Sequence, residues 1–102
     1  MNIVFIMTDT QNTDSIFAYG NQHAQTPNID ALCRRGVRFD RAYTACPLCT
    51  PARGAIFSGM VPATNGATYN DATPFRDIPL MGTLFADRGF RVGYTGKWHL
   101  DG

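Results

Sequence analysis

The sequence predicts an α/β fold with a mostly parallel sheet. Three observations carry that expectation. An apolar run without alternation, Ile3-Val4-Phe5-Ile6-Met7, opens the chain, as in a strand covered on both faces. Extended and helical patterns then alternate, and Pro and Gly bracket the helical ones. The chain has 102 residues, 44% hydrophobic and 17% charged, which bounds it to one small globular domain at most.

Taken in order, Asn2 to Thr8 reads as the first strand and stops at Asp9. Pro27 to Arg35 reads as a helix, with Thr26 as N-cap, Pro27 at the first helical position and Gly36 just past the end. Ile29 and Leu32 are expected to face the core, with Cys33 beside them. Val37 to Thr44 is a second extended segment, and Ala45 to Cys49 a loop. Pro51 to Ser58 is a second helix, closed by Gly59, with Ala52, Ala55, Ile56 and Phe57 favouring burial. Val61 to Pro79 carries the turn signals Asn65-Gly66 and Asn70-Asp71 and reads as a long surface loop. Leu80 to Arg88 is a third helix, ended by Gly89, and Phe90 to Thr95 a third strand. The order strand, helix, strand, helix, helix, strand is that of an α/β sandwich.

Nine basic residues against eight acidic ones give a net charge of +1, so nothing favours nucleic acid or an anionic membrane as a partner. Ile3 to Met7 is too short to span a bilayer, and it lacks the flanks of a signal peptide. As written, the chain is expected in the cytoplasm, or in the periplasm or outside the cell if a leader is missing. Cys33, Cys46 and Cys49 are an odd number and point to no disulfide framework.

Polar clusters follow the predicted strands: Asp9 after the first, Cys49 after the second, Lys97 and His99 after the third. In open α/β sheets, ligands bind at the carboxyl ends of strands. Parallel strands would therefore gather all three clusters on one edge. Cys49 immediately precedes a helix, where free amides and the helix dipole attract anions. Arg53, four residues on, can share its face and hold an anionic group with fixed donors. A plainer alternative is a helix-capping cysteine with a surface arginine. Asp9 can bind a divalent cation or cap a turn. Lys97 and His99, two apart in an extended segment, point the same way, and His99 could move a proton. Cys46-Pro47-Leu48-Cys49 also matches a Cys-x-x-Cys redox pair. A zinc site fails, because no second Cys or His pair stands at ligand spacing.

Cys49-Thr50-Pro51-Ala52-Arg53 resembles the Cys-x-Pro-x-Arg signature of the sulfatases. Asn2 to Thr10 resembles that family's first strand with its metal-binding aspartate. Thr26-Pro27-Asn28-Ile29-Asp30 is similar to the family's start of the first helix. Gly54 to Gly59 resembles the helix after the signature, and Gly96-Lys97-Trp98-His99-Leu100 its "GKWHL" element. The resemblance runs through the whole chain in the family's order and outweighs the plainer readings.

It implies a formylglycine-dependent sulfuric ester hydrolase of the alkaline phosphatase superfamily, whose sandwich this chain would form in part. In sulfatases a separate maturation enzyme oxidises the signature cysteine to Cα-formylglycine. The aldehyde hydrate attacks the sulfur of a sulfate ester, the alcohol leaves, and elimination of sulfate restores the aldehyde. Carried over, Cys49 is the precursor of the nucleophile, and Arg53 stabilises the hydrate. Asp9 and the residue at position 49 bind a divalent metal, usually Ca2+, with Mg2+ or Mn2+ as alternatives. Lys97 and His99 contact the sulfate or the leaving oxygen. The implied partners are a sulfated small molecule or carbohydrate and the maturation enzyme, which reads a segment that includes Pro51.

Two departures stand out. Thr10 occupies the place of a second metal-binding aspartate, with Gln11 after it, and neither is assigned a metal role. Family catalytic domains are several times longer, so residues 1–102 are expected to be the N-terminal portion of one such domain, poor in metal binding and inactive alone. Two rival readings remain: a phosphonate or phosphate diester hydrolase of the same superfamily, and a thiol-disulfide module using Cys46 and Cys49.

Overall fold

The computed structural model describes residues 1–100 and divides the chain into two compact units, Met1–Ala42 and Tyr43–Gly102.

The first unit is organised by one buried carboxylate. Its regular elements are two short 3-10 turns, Thr13–Ser15 and Phe17–Tyr19, and helix α1, Pro27–Arg35. Pro27 opens α1, where a missing N–H costs nothing. Thr26 holds the N-cap position but makes no side-chain cap; its hydroxyl donates to Asp30 Oδ1 at 3.0 Å and accepts from the Phe17 amide at 3.0 Å. Asp30 Oδ1 also accepts from the Ala18 amide at 3.0 Å, so the buried carboxylate ties the turn to the helix. Arg34 and Arg35 in the last turn complement the helix dipole. Gly36 ends α1 in an extended conformation rather than a left-handed one. Leu32, expected in the core, is 60% exposed. Arg38 spans the turn: its Nε is 2.7 Å from Asp40 Oδ1 and its guanidinium lies 5.3 Å over the Tyr19 ring. The hydrogen bond and charge of Asp40 hold Arg38 above its ordinary pKa.

The second unit carries α2 (Cys49–Ser58), α3 (Pro62–Asn65) and α4 (Met81–Ala86). Helix α2 starts at Cys49, two residues before the predicted Pro51, because Leu48 is already extended and the Ala52 amide bonds to the Leu48 carbonyl at 2.9 Å. Pro51 still falls in the first turn, where no helical partner is lost. Gly59, with φ +68°, closes the helix as predicted. Phe57 is the buried apolar anchor of α2, packing on Trp98 at 5.1 Å and Tyr94 at 5.8 Å between ring centroids. Ile56, by contrast, is exposed.

Helix α3 lies inside the stretch that reads as loop. It is fastened by Asn65, which is fully buried. The Asn65 amide donates to the Ser58 hydroxyl at 3.1 Å and to the Met60 carbonyl at 3.0 Å, and its Oδ1 accepts from the Ala67 amide at 2.8 Å. Helix α2 approaches this hub through Gly54, where a Cβ would lie 2.7 Å from that of Ala67. Helix α4 is shorter than predicted, and an open apolar groove of about 390 Å³ runs between it and the end of α2, lined by Phe57, Met81, Leu84 and Phe85 among others.

The predicted strands are a correction. Segments 2–8, 37–44 and 90–95 form no strand among the described residues. Val4 is 81% exposed, Val37 80% and Tyr94 51%, so the apolar runs that signalled strands are there but unpaired. A parallel strand is stable only between ladder neighbours with both faces covered, and these segments find neither within their units.

Candidate functional site

The second unit assembles its chemistry around the first turn of α2. Cys49 is the first helical residue, half-buried, with a free thiol. Lys97 reaches it from the segment after the third extended run: its Nζ donates to Cys49 Sγ at 3.6 Å. Lys97 is aimed there by its neighbours. The Tyr94 hydroxyl donates to the Lys97 carbonyl, and Trp98 packs edge-on against Tyr94 and onto Phe57. The aromatic cluster thus docks the Gly96–Leu100 segment on α2, and Leu100 is buried with it.

Arg53 comes from one turn further along α2. It is buried, and its guanidinium folds back to donate to the Cys49 carbonyl at 3.4 Å. The i, i+4 spacing in the sequence therefore places a cation at position 49. Two cations from separate segments converge on one residue at the amide-rich end of a helix, where the dipole adds to their field.

Thr50 is the structural pivot. It is fully buried. Its amide donates to Asn70 Oδ1 at 3.2 Å, its hydroxyl donates to the His99 carbonyl at 3.0 Å, and that hydroxyl accepts from the Asp71 amide at 3.2 Å. His99 Nε2 in turn lies 3.0 Å from Asp71 Oδ1. His99 has φ +56°, so the segment is not extended there, and Lys97 and His99 take different partners instead of pointing the same way.

Of the residues singled out in the sequence, Cys49, Arg53, Lys97 and His99 all belong to this assembly. Asp9 belongs to the first unit, where its carboxylate accepts from the Thr10 hydroxyl at 3.3 Å. Among the described residues no group of three or more His, Cys, Asp or Glu side chains could hold a metal ion. A hard divalent cation wants six to eight oxygen ligands. Among the described residues, one carboxylate and one neighbouring hydroxyl do not complete such a site. Sequence reasoning does not single out Thr50, Asn70 or Asp71. The signal for the last two is the Asn70-Asp71 turn, which reads as surface loop.

A cysteine at a helix start, met by a buried guanidinium and an ammonium, defines a site for an anionic group beside a position able to carry a nucleophile. The comparisons with known proteins narrow that class. The profile of the Sulfatase family matches residues 1–102, and the chain belongs to that family. Among its relatives, "Uncharacterized sulfatase YidJ" of Escherichia coli (strain K12) is 45% identical over 99% of this chain and 20% of its own length. N-acetylglucosamine-6-O-sulfatase of Bacteroides thetaiotaomicron is 37% identical over 97% of this chain and 18% of its own. Arylsulfatase A of Homo sapiens is 34% identical over 97% of this chain and 21% of its own. The chain therefore spans about a fifth of the length of the curated relatives it matches. No solved structure matches it significantly. Membership carries the α/β fold class, whose sheet the described residues do not form.

Proposed function

We propose that this chain forms the nucleophile-bearing part of a sulfatase that hydrolyses sulfate esters of a carbohydrate or small molecule. The observation that carries this reading is the 3.6 Å contact of Lys97 Nζ with Cys49 Sγ, which seats the "GKWHL" element on the signature cysteine. A formylglycine derived from Cys49 would supply a hydrated aldehyde as the nucleophile. The surroundings of position 49 suit that group, because its oxygens would take the place of a sulfur already in reach of an ammonium donor. Arg53 offers further positive charge from within the same turn. Lys97, on a flexible stem, can follow the sulfate as charge moves to the leaving oxygen. His99 can hold or move a proton at its ring nitrogens.

The alternative redox module is disfavoured by the family match and by relatives named as sulfatases, not by the surroundings of Cys49, since a helix start and a nearby ammonium would also suit a reactive thiolate. Cys46 and Cys49 are both free thiols, and the sulfur of Cys49 is engaged by Lys97 rather than by Cys46. We further read residues 1–102 as the N-terminal portion of one catalytic domain, with segments 2–8, 37–44 and 90–95 as strands of a mostly parallel sheet that more chain would complete. Asp9 and residue 49 are each retained as candidate ligands of a divalent-metal site that more chain would complete, with calcium the expected ion, and a formylglycine-generating enzyme would be the maturation partner. The location proposed is the cytoplasm, or the periplasm or the outside of the cell if a leader directs export.

The test is hydrolysis of an aryl sulfate beside an aryl phosphodiester by a full-length protein that carries residues 1–102, co-expressed with a formylglycine-generating enzyme. Sulfate turnover that Cys49→Ala abolishes supports the reading. Turnover of the phosphodiester alone would replace it with the diesterase, and sulfate turnover surviving Cys49→Ala would refute it.

A further inference from the structure

We propose that Asp71 is the positioning residue of His99: it holds Nε2–H, so that Nδ1 is the ring nitrogen left to accept a proton or a hydrogen bond, and the Thr50 hydroxyl keeps the two segments in register. The claim rests on the sulfatase reading for its use in catalysis, but its geometry stands apart from it.

Three observations converge. The first is the contact itself, His99 Nε2 to Asp71 Oδ1 at 3.0 Å. A carboxylate accepts only, so in the neutral ring it selects the tautomer protonated at Nε2. The second is His99 Nδ1, which is buried and has no hydrogen-bond partner among the described residues. A buried N–H there would lack an acceptor, whereas a bare nitrogen forfeits less, so burial selects the same tautomer as Asp71.

The third observation is the backbone. Asp71 and His99 both adopt left-handed conformations, with φ +67° and +56°. Such residues are strained and persist only when their surroundings over-determine them. Here the surroundings are one side chain. The fully buried Thr50 hydroxyl accepts from the Asp71 amide and donates to the His99 carbonyl, while the Thr50 amide binds Asn70. An exposed histidine–carboxylate pair contributes little by itself, and the Asp71 side chain is 78% exposed. With both backbones pinned to Thr50, much of the entropy of bringing the pair together is already spent in folding, and the contact acts on orientation rather than on stability. Thr50 adjoins Cys49, so the clamp also fixes where the histidine segment stands relative to the nucleophile position. Partners that orient metal-ligating histidines typically change affinity or activity by about 10–100-fold when removed, and an effect of that size is expected here.

The test reads His99 directly, by 15N-detected ring spectra of the chain at a pH where the ring is neutral. The expected wild-type signature is one tautomer, with Nε2 protonated and Nδ1 bare. Asp71→Gly removes the carboxylate yet suits the positive φ, and it should draw the two nitrogen shifts toward each other with backbone amide signals elsewhere unmoved. Asp71→Asn, whose amide oxygen still accepts, should restore the single tautomer. Thr50→Val should loosen His99 as Asp71→Gly does, and Thr50→Ser should not. In the full-length protein matured at Cys49, Asp71→Gly should lower kcat about 10–100-fold with KM little changed. In a His99→Ala background the same change should cost less than about twofold, because Asp71 acts only through the ring. Wild-type His99 protonated at Nδ1, or ring signals indifferent to Asp71→Gly, would overturn the proposal. If the full-length protein that carries residues 1–102 turns over no sulfate ester, the sulfatase reading falls while the His99 spectra still decide this one.

Discussion

At the scale of single residues, the site is built by a helix register and one buried hydroxyl. The register sets Arg53 one turn behind Cys49, with its guanidinium folded back onto the Cys49 carbonyl. That charge geometry makes a definite prediction. Arg53→Lys keeps the charge but loses the planar fork, and it should lower sulfate-ester turnover by about 10²-fold, as removal of one preorganised donor does. Steady-state kinetics of the matured full-length protein checks it, and a change below about threefold would mean that Arg53 is structural. Cys49 and Arg53 are legible in the sequence, because their four-residue spacing and the Pro between them already specify a helix start with a cation one turn on. Lys97 is legible as a cation after an extended segment, and it reaches the sulfur. Thr50 and Asp71 are not legible. A threonine at a helix start and an Asn-Asp turn each have commoner reasons to exist, and only their meeting with each other and with His99 gives them a role.

At the scale of elements, the second unit is fastened by the interlock of α2 and α3 at Asn65. Removing that hub leaves buried donors and acceptors unmet. Asn65→Ala should destabilise the second unit by about 2–3 kcal/mol, read as a lower urea midpoint at unchanged slope. Gly54→Ala should cost about 1–3 kcal/mol, because its Cβ would press on that of Ala67 at 2.7 Å. If either variant melts with the wild type, the interlock is not the unit's main fastening. Helix α1 is legible to the residue because its signals are local: Pro27 at the start, arginines in the last turn, Gly36 after. Helix α3 is hidden in a stretch rich in Pro, Gly and Asn, because its cause is the long-range hub rather than any local signal.

At the scale of the whole molecule, the fold class is legible, and no sheet forms among the described residues. Periodicity reports which segments can be strands, whereas a ladder needs neighbours that a chain spanning about a fifth of its relatives does not supply within its units. Two consequences follow. Exposed, unpaired apolar runs invite association, so light scattering by the chain should rise with concentration, and Val4→Lys should raise the threshold. The incomplete oxygen set around Asp9 should leave Ca2+ affinity no tighter than about millimolar by calorimetry, the range of the weakest dedicated sites. The central claim concerns Cys49, and the most direct measurement is peptide mass spectrometry of the chain co-expressed with a formylglycine-generating enzyme. The Cys49 peptide should have exchanged sulfur for oxygen and lost two hydrogens, with Cys33 and Cys46 unchanged. An intact Cys49 thiol, or a disulfide from Cys49 to Cys46, would contradict its assignment as the precursor of the catalytic group.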